Sequence, residues 1–256
     1  MFHMEQLIEA KQLSLQIDSL KGQKQTILRN IHLTIKRGEF VTIMGPSGCG
    51  KTSLLYQLSG IETSSRGEIK YKGQLLSEMT DKQLTALRLS EMGFVFQHSH
   101  LLKNLNLFDN IIAAAYLAKK MPRKEVNERA KYLMEKLDID HLADRYLSEV
   151  SGGQLQRASI CRALMNEPNI LFADEPTGAL NSSTTKEVMD IFSQINSEGT
   201  TLLLVTHDPK VALCSERILF MNDGEISAHL NLGKYDRFTA EKREALLNKW
   251  LQNLGF

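Results

Sequence analysis

The feature that most restricts this chain is a short apolar run, residues 40–44 (FVTIM). It passes directly into Gly45-Pro46-Ser47-Gly48-Cys49-Gly50-Lys51-Thr52 and then into the helix-forming stretch SLLYQL, which opens with Ser53. A strand apolar on both faces belongs inside a parallel sheet. The octet fits GxxxxGK[ST] in the strand–loop–helix setting which that pattern requires. Backbone N–H groups of such a loop turn inward and the helix start adds partial positive charge, so the segment is suited to hold phosphate. Gly48 and Gly50 allow close backbone approach and positive φ. Lys51 is expected to reach the β- and γ-phosphates of a nucleotide, and the Thr52 hydroxyl to ligate Mg²⁺. Residues Gly45 to Ser53 are therefore the candidate nucleotide-binding loop.

Further strands fall around this one. In residues 28–39 (LRNIHLTIKRGE), Ile31, Leu33 and Ile35 alternate with polar neighbours, which predicts a half-buried strand ending in an Arg37-Gly38-Glu39 turn. Residues 170–173 (ILFA) and 202–205 (LLLV) are apolar on both faces, with a helical stretch at 182–197 between them. Strands alternating with helices predict a parallel sheet covered on both sides. Residues 101–165 differ: Pro122 opens a charged helical stretch with Val126, Ala130, Leu133 and Leu137 near one stripe, and no convincing strand occurs. This reads as a helical subdomain inserted in the α/β core. In the tail, Thr239 is a candidate N-cap for AEKREALLNKWLQNL, whose Leu246, Leu247, Trp250, Leu251 and Leu254 form an apolar face. That helix either packs on its own domain or docks a partner.

Two further segments carry chemistry. The run ILFADEP ends in paired carboxylates, Asp174 and Glu175. Asp174, at the strand tip, is placed to hold Mg²⁺ through its water shell. Glu175 is suited to orient or deprotonate an attacking water. Ser151-Gly152-Gly153-Gln154 precedes a long helix, LQRASICRALMNE, and offers a second helix N-terminus to a phosphate.

The run SGGQ-x-QR-x-x-x-x-RAL resembles the signature of ABC ATPases. Other elements follow in order: Gly93-Phe94-Val95-Phe96-Gln97 resembles the Q-loop, Gly178-Ala179-Leu180-Asn181 the D-loop, and Val205-Thr206-His207-Asp208 the switch region. The likeness spans about residues 5–227. It implies an α/β P-loop NTPase fold of the ABC ATPase kind, with a mainly parallel core, an antiparallel β subdomain and the inserted helical subdomain. The corresponding division is an ATPase domain over 1–230, with the helical subdomain at about 98–165, and a C-terminal helical extension over 231–256. Resemblance further implies that Gln97 contacts Mg²⁺ and the attacking water, and that His207 contacts the γ-phosphate. Ser151, Gly152, Gly153 and Gln154 would face ATP bound to a second copy in a head-to-tail dimer. Phe94 to Gln97 with Leu101-Leu102, and Asp174 to Gly178, look most like the MacB/LolD/FtsE group. There, a pair of such subunits drives a membrane permease, for export or to transmit force, from the cytoplasmic face of the inner membrane.

Departures from the pattern are Ile17, where an aromatic residue commonly stacks on adenine; Asn181, in place of the D-loop Asp; Val150 at the head of the signature; and Lys103, where Pro is common. Ile17 can still pack on the base, with about 1 kcal/mol less stacking. His98 and His100 are read as surface or partner-contact histidines, because two ligands do not make a metal site.

Composition narrows the classes that remain. Lys plus Arg is 31 against 30 for Asp plus Glu, so no overall field draws the chain to nucleic acid, and no nucleic-acid partner is expected. Three cysteines without metal-ligand spacing suit a reducing compartment. No apolar run approaches the ~20 residues that cross a bilayer, and residues 1–6 do not read as a signal peptide. The chain is expected to be soluble by itself. Two other readings are an ABC protein acting on nucleic acid, which usually carries coiled-coil insertions or two fused ATPase domains, and a nucleotide-gated regulator with little turnover.

Overall fold

The computed structural model describes residues 5–18 and 24–256. The signal-peptide reading at Met1 to Met4 lies outside the described residues. The first elements are β1 (Gln6–Asp18), β2 (Lys24–Lys36), β3 (Phe40–Met44), α1 (Lys51–Leu58), β4 (Arg66–Tyr71), β5 (Gln74–Leu75), α2 (Asp81–Glu91) and β6 (Met92–Phe96). Then come α3 (Leu107–Ala118), α4 (Arg123–Lys136), α5 (Gly152–Leu164), β7 (Ile170–Asp174), α6 (Ser182–Ser197) and β8 (Thr201–Thr206). The chain closes with α7 (Pro209–Ala212), β9 (Arg217–Asn222), β10 (Glu225–Asn231) and α8 (Ala240–Asn253).

Six strands form one sheet in the order β10-β9-β3-β8-β7-β6, parallel except for the β9–β10 pair. All of β3 and β8 is buried, as runs apolar on both faces require. Period-two alternation sends their side chains to two separate cores. Phe40, Leu171, Ala173, Leu202 and Leu204 meet helices α3 to α6. Val41, Ile43, Ile170, Phe172, Leu203 and Val205 meet α1 and a second sheet. That sheet is antiparallel, in the order β2-β1-β4-β5. In β2, Leu28, Ile31, Leu33 and Ile35 are buried and the residues between them are more exposed, so the alternation in the sequence is the inner face of this sheet.

The segment between β6 and β7 is helical; among the described residues its β pairing is an isolated bridge between Asn106 and Tyr146. Val126, Ala130, Leu133 and Leu137 are all buried. Asn106 caps α3, its side-chain oxygen accepting from Asp109 N at 2.7 Å, and Thr80 with Gln83 forms a capping box on α2.

One expectation for the tail needs correction. Thr239 stands at the N-cap position of α8, as read from the sequence, but its hydroxyl donates back to the Asp236 carbonyl at 2.9 Å and makes no cap hydrogen bond, because the chain enters the helix through a 3-10 turn. Leu246 is exposed, since the stripe centres on the buried Leu247 and Leu251 with Trp250 and Leu254 partly buried beside them, and Leu246, four positions before Trp250, lies at its outer edge. The stripe lies on Met44, Ala212, Ile218 and Phe220, so the helix packs on its own domain. Burial of Leu247 and Leu251 stabilises this contact by roughly 1.5–3 kcal/mol each.

Candidate active site

Register places the candidate residues on one edge. Phe96 pairs with Asp174, Asp174 with Val205, and Met44 with Thr206. The residues that follow these strand ends, Gln97, Glu175, His207 and Gly45, therefore emerge side by side where parallel strands present their carboxyl ends. In open α/β sheets that edge is where ligands bind.

Between β3 and α1 the loop is held against both sheets. A Cβ on Gly45 would lie 2.0 Å from the Met221 carbonyl oxygen of β9, and φ there is 154°. Gly50, at φ 102°, leaves 2.9 Å to the Ile27 carbonyl oxygen of β2. Pro46 is half-buried, Ser47 and Gly48 are exposed at the loop tip, and Ser53 is half-buried on α1. The Lys51 ammonium arches back and donates to the Gly45 and Pro46 carbonyls, each at 2.9 Å. Cys49 is buried, and that burial pushes its thiol up despite the charge of Lys51.

The Thr52 hydroxyl donates to Asp174 Oδ1 at 3.0 Å, and the Tyr56 hydroxyl lies beside the same carboxylate. Burial, reinforced by the charge of Glu175, holds the Asp174 carboxyl above the usual range; Thr52, Tyr56 and Lys51 offset part of the rise. Glu175 sits in a left-handed turn at φ 45°, fixed by its N–H on the Val205 carbonyl at 2.9 Å and its carbonyl on Gly178 N–H at 3.0 Å. Its carboxylate accepts from the Thr206 hydroxyl at 3.1 Å and lies 2.8 Å from His207 Nδ1. Gln97 closes the group: a Cβ on Gly178 would fall 2.9 Å from its side-chain nitrogen.

Ser151, Gly152, Gly153 and Gln154 stand apart as the start of α5. Ser151 Oγ accepts from Gln154 N–H at 3.3 Å, and the Gln154 side chain accepts from Ser151 N–H at 2.8 Å, a complete capping box. Gly153 abuts α6, where a Cβ would come within 2.4 Å of Thr184 Cγ2. Asn181 caps α6, accepting from Thr184 N–H at 3.0 Å. Ile17 is 45% exposed near the end of β1 and pairs with Gln25, two positions from the Ile27 carbonyl that faces Gly50.

Two residues escaped the sequence reading. Tyr56 follows Thr52 by four positions and so shares its helix face; that spacing was the available signal. Thr206 adjoins His207, but its bond to Glu175 follows from strand register alone. Among the described residues, Asp138, Asp140 and His141 gather elsewhere at the surface, and His98 and His100 are exposed.

A family profile described as ABC transporter matches residues 28–178. The bacitracin export ATP-binding protein BceA of Halalkalibacterium halodurans is 41% identical over 220 residues, covering 86% of this chain and 87% of that protein. The lipoprotein-releasing system ATP-binding protein LolD of Aquifex aeolicus is 44% identical over 200 residues, covering 78% and 89%. The ATP-binding cassette MJ0796, solved as a dimer in a post-hydrolysis state with ADP and Pi, superposes with a TM-score of 0.82 at 33% identity, covering 90% of this chain and all of that one. The carboxyl-edge loop, the paired carboxylates and these likenesses agree: this chain belongs to the ABC transporter family, as a nucleotide-binding ATPase of the MacB/LolD group.

Proposed function

We propose that two copies of this chain pair head to tail around two ATP molecules, and that hydrolysis drives a membrane-embedded permease of the FtsX/MacB type. The observation that carries this reading is the shared register that brings Gln97, Glu175 and His207 to the sheet edge holding the Lys51 loop. In this assignment the N–H groups of the loop cradle the β-phosphate, and Lys51 swings from the Gly45 and Pro46 carbonyls to the phosphates. The oxygen donors of Thr52, Asp174 and Gln97 suit a hard divalent cation such as Mg²⁺. When bound, Mg²⁺ would neutralise charge on the phosphates. Glu175, steadied by Thr206 and His207, orients the attacking water, and His207 is positioned to turn toward the γ-phosphate. Ser151 to Gln154 would meet the γ-phosphate held by the other copy, and Ile17 would pack on the base.

Closure of such a dimer displaces the helical segment at about 98–165 and pulls the permease. A groove of about 390 Å³ supports docking there. Ile61, Leu89, Phe94 and Phe96 contribute its apolar wall, and Arg162 ties it to the segment after Gln97 by donating to the Ser99 and His100 carbonyls at 2.7 and 2.8 Å. No helix of the described residues is long and apolar enough to cross a membrane. In this proposal the chain sits at the cytoplasmic face of the inner membrane through its partner, and residues 1–230 form the ATPase domain with 231–256 as its extension.

Glu175→Gln tests the mechanism. It is expected to lower phosphate release by about 100-fold or more and to trap an ATP-bound dimer, read by light scattering at saturating MgATP. Turnover equal to wild type would remove Glu175 from the reaction.

A further inference from the structure

We propose that Arg243, in the C-terminal helix, is a positioning residue that sets the placement of His207 from the far end of α7. This inference rests on the active-site reading above. His207 lies just before the four-residue helix α7, and Asp208 caps its start by accepting from Lys210 N–H at 2.8 Å. The other end of α7 runs into Leu213, Cys214 and Ser215, and here the Arg243 fork closes on the chain. Nε and Nη2 donate to the Leu213 carbonyl at 3.1 Å each, and Nη2 also donates to the Ser215 carbonyl at 2.7 Å. Nη1 donates to the carbonyls of Leu232, Gly233 and Lys234 at 2.8, 3.0 and 3.2 Å. Arg243 is only 5% exposed, and its guanidinium lies 5.4 Å from the Tyr235 ring centre.

The arrangement is specific. A planar guanidinium reaches two groups of carbonyls at once, which an ammonium does not. A cation at the carboxyl end of a helix also opposes its partial negative charge. Because α7 is a single turn, fixing Leu213 and Ser215 limits the tilt of the whole turn and of His207 at its start. The same helix α8 seats Leu247 and Leu251 against Met44, the residue before Gly45, and against Ala212 of α7. The extension therefore braces, from behind, both segments that meet at the phosphate site. Tyr235, Ala240 and Glu244 of this extension also wall the cavity of about 680 Å³ into which Glu175 and His207 face.

The test is MgATP turnover by the full-length chain. Arg243→Met is expected to lower kcat by about tenfold while KM for ATP stays within about twofold, because His207 is displaced while the loop that holds the nucleotide is intact. Arg243→Lys keeps the charge but loses the fork, and should lower kcat by about threefold; it carries the test if the Met variant does not fold. Ile69→Ala, a core truncation in the antiparallel sheet, controls for lost stability and should leave kcat per folded molecule unchanged. A wild-type kcat in either Arg243 variant, or a fall no larger than the loss of folded protein measured by circular dichroism, overturns the proposal. Glu175→Gln run in parallel separates the two readings. If it turns over like wild type, the active-site assignment fails; if it is dead while the Arg243 variants are normal, only the role of Arg243 fails.

Discussion

Burial and the charge of Glu175 hold the Asp174 carboxyl above its ordinary value, so the folded chain binds that proton more tightly than the unfolded chain does. The sign follows from linkage: on account of Asp174, stability is greatest at low pH and is lost as pH rises through the raised value. Ionised Asp174 therefore opposes folding at neutral pH, a stability cost retained for function. Asp174→Asn keeps an acceptor for the Thr52 hydroxyl and removes the buried charge. We expect it to raise the thermal midpoint at pH 7, by about 2–4 °C for each kcal/mol relieved, while ATP turnover is lost. A midpoint that falls or stays constant would mean burial does not oppose the charge. The motif alone pointed to Asp174 because an apolar strand ended there in a carboxylate. It gave no indication of Tyr56 beside Asp174 or of Thr206 on Glu175, since contacts between separate elements depend on where those elements are docked.

At the scale of elements, close approach of β6, β7 and α5 sets the level at which Gln97 emerges. Gly93 permits this approach: a Cβ there would lie 2.2 Å from Leu171 Cδ2 and 2.6 Å from the Ala163 carbonyl oxygen. The Phe94 and Phe172 rings stack at 5.5 Å on the adjacent strands. Gly93→Ala is expected to destabilise the fold by about 1–3 kcal/mol through overpacking, read as a lower midpoint in urea. An unchanged midpoint would show that α5 yields without strain. Helices with strong local signals were legible: Ser182–Ser197 coincides with the stretch read from the sequence, and the stripe of Val126, Ala130 and Leu133 in α4, continued by Leu137 at its C-cap, is buried. The strands of the antiparallel sheet other than β2 were not traced individually. Several of their positions are exposed or half-exposed, and the β1–β4 pairing joins residues about sixty positions apart, such as Ile8 and Tyr71.

Across the whole molecule, the two sheets and the α8 extension converge on a few long-range ties. Arg217 of β9 donates to both Glu39 oxygens, at 2.6 and 3.0 Å, and to the Thr34 carbonyl of β2 at 2.7 Å. Glu39 is nearly buried and also accepts from Lys36 N–H at 3.0 Å, so the pair locks the turn between β2 and β3 to β9, the strand that pairs directly with β3. Arg217→Met would leave the Glu39 charge without its partner and should lower unfolding free energy by about 2–3 kcal/mol, measured by chemical denaturation. A loss near zero would show the tie is dispensable. The sequence by itself determined the glycine-rich loop between β3 and α1, the paired carboxylates, the buried parallel strands and the family, because these depend on residue types at short fixed spacings. Tertiary structure alone decided that Glu175 meets Thr206 and His207, that Leu246 stays in solvent, and that Arg243 reaches the end of α7. Those outcomes depend on strand register and helix docking, which are fixed by contacts between residues distant along the chain.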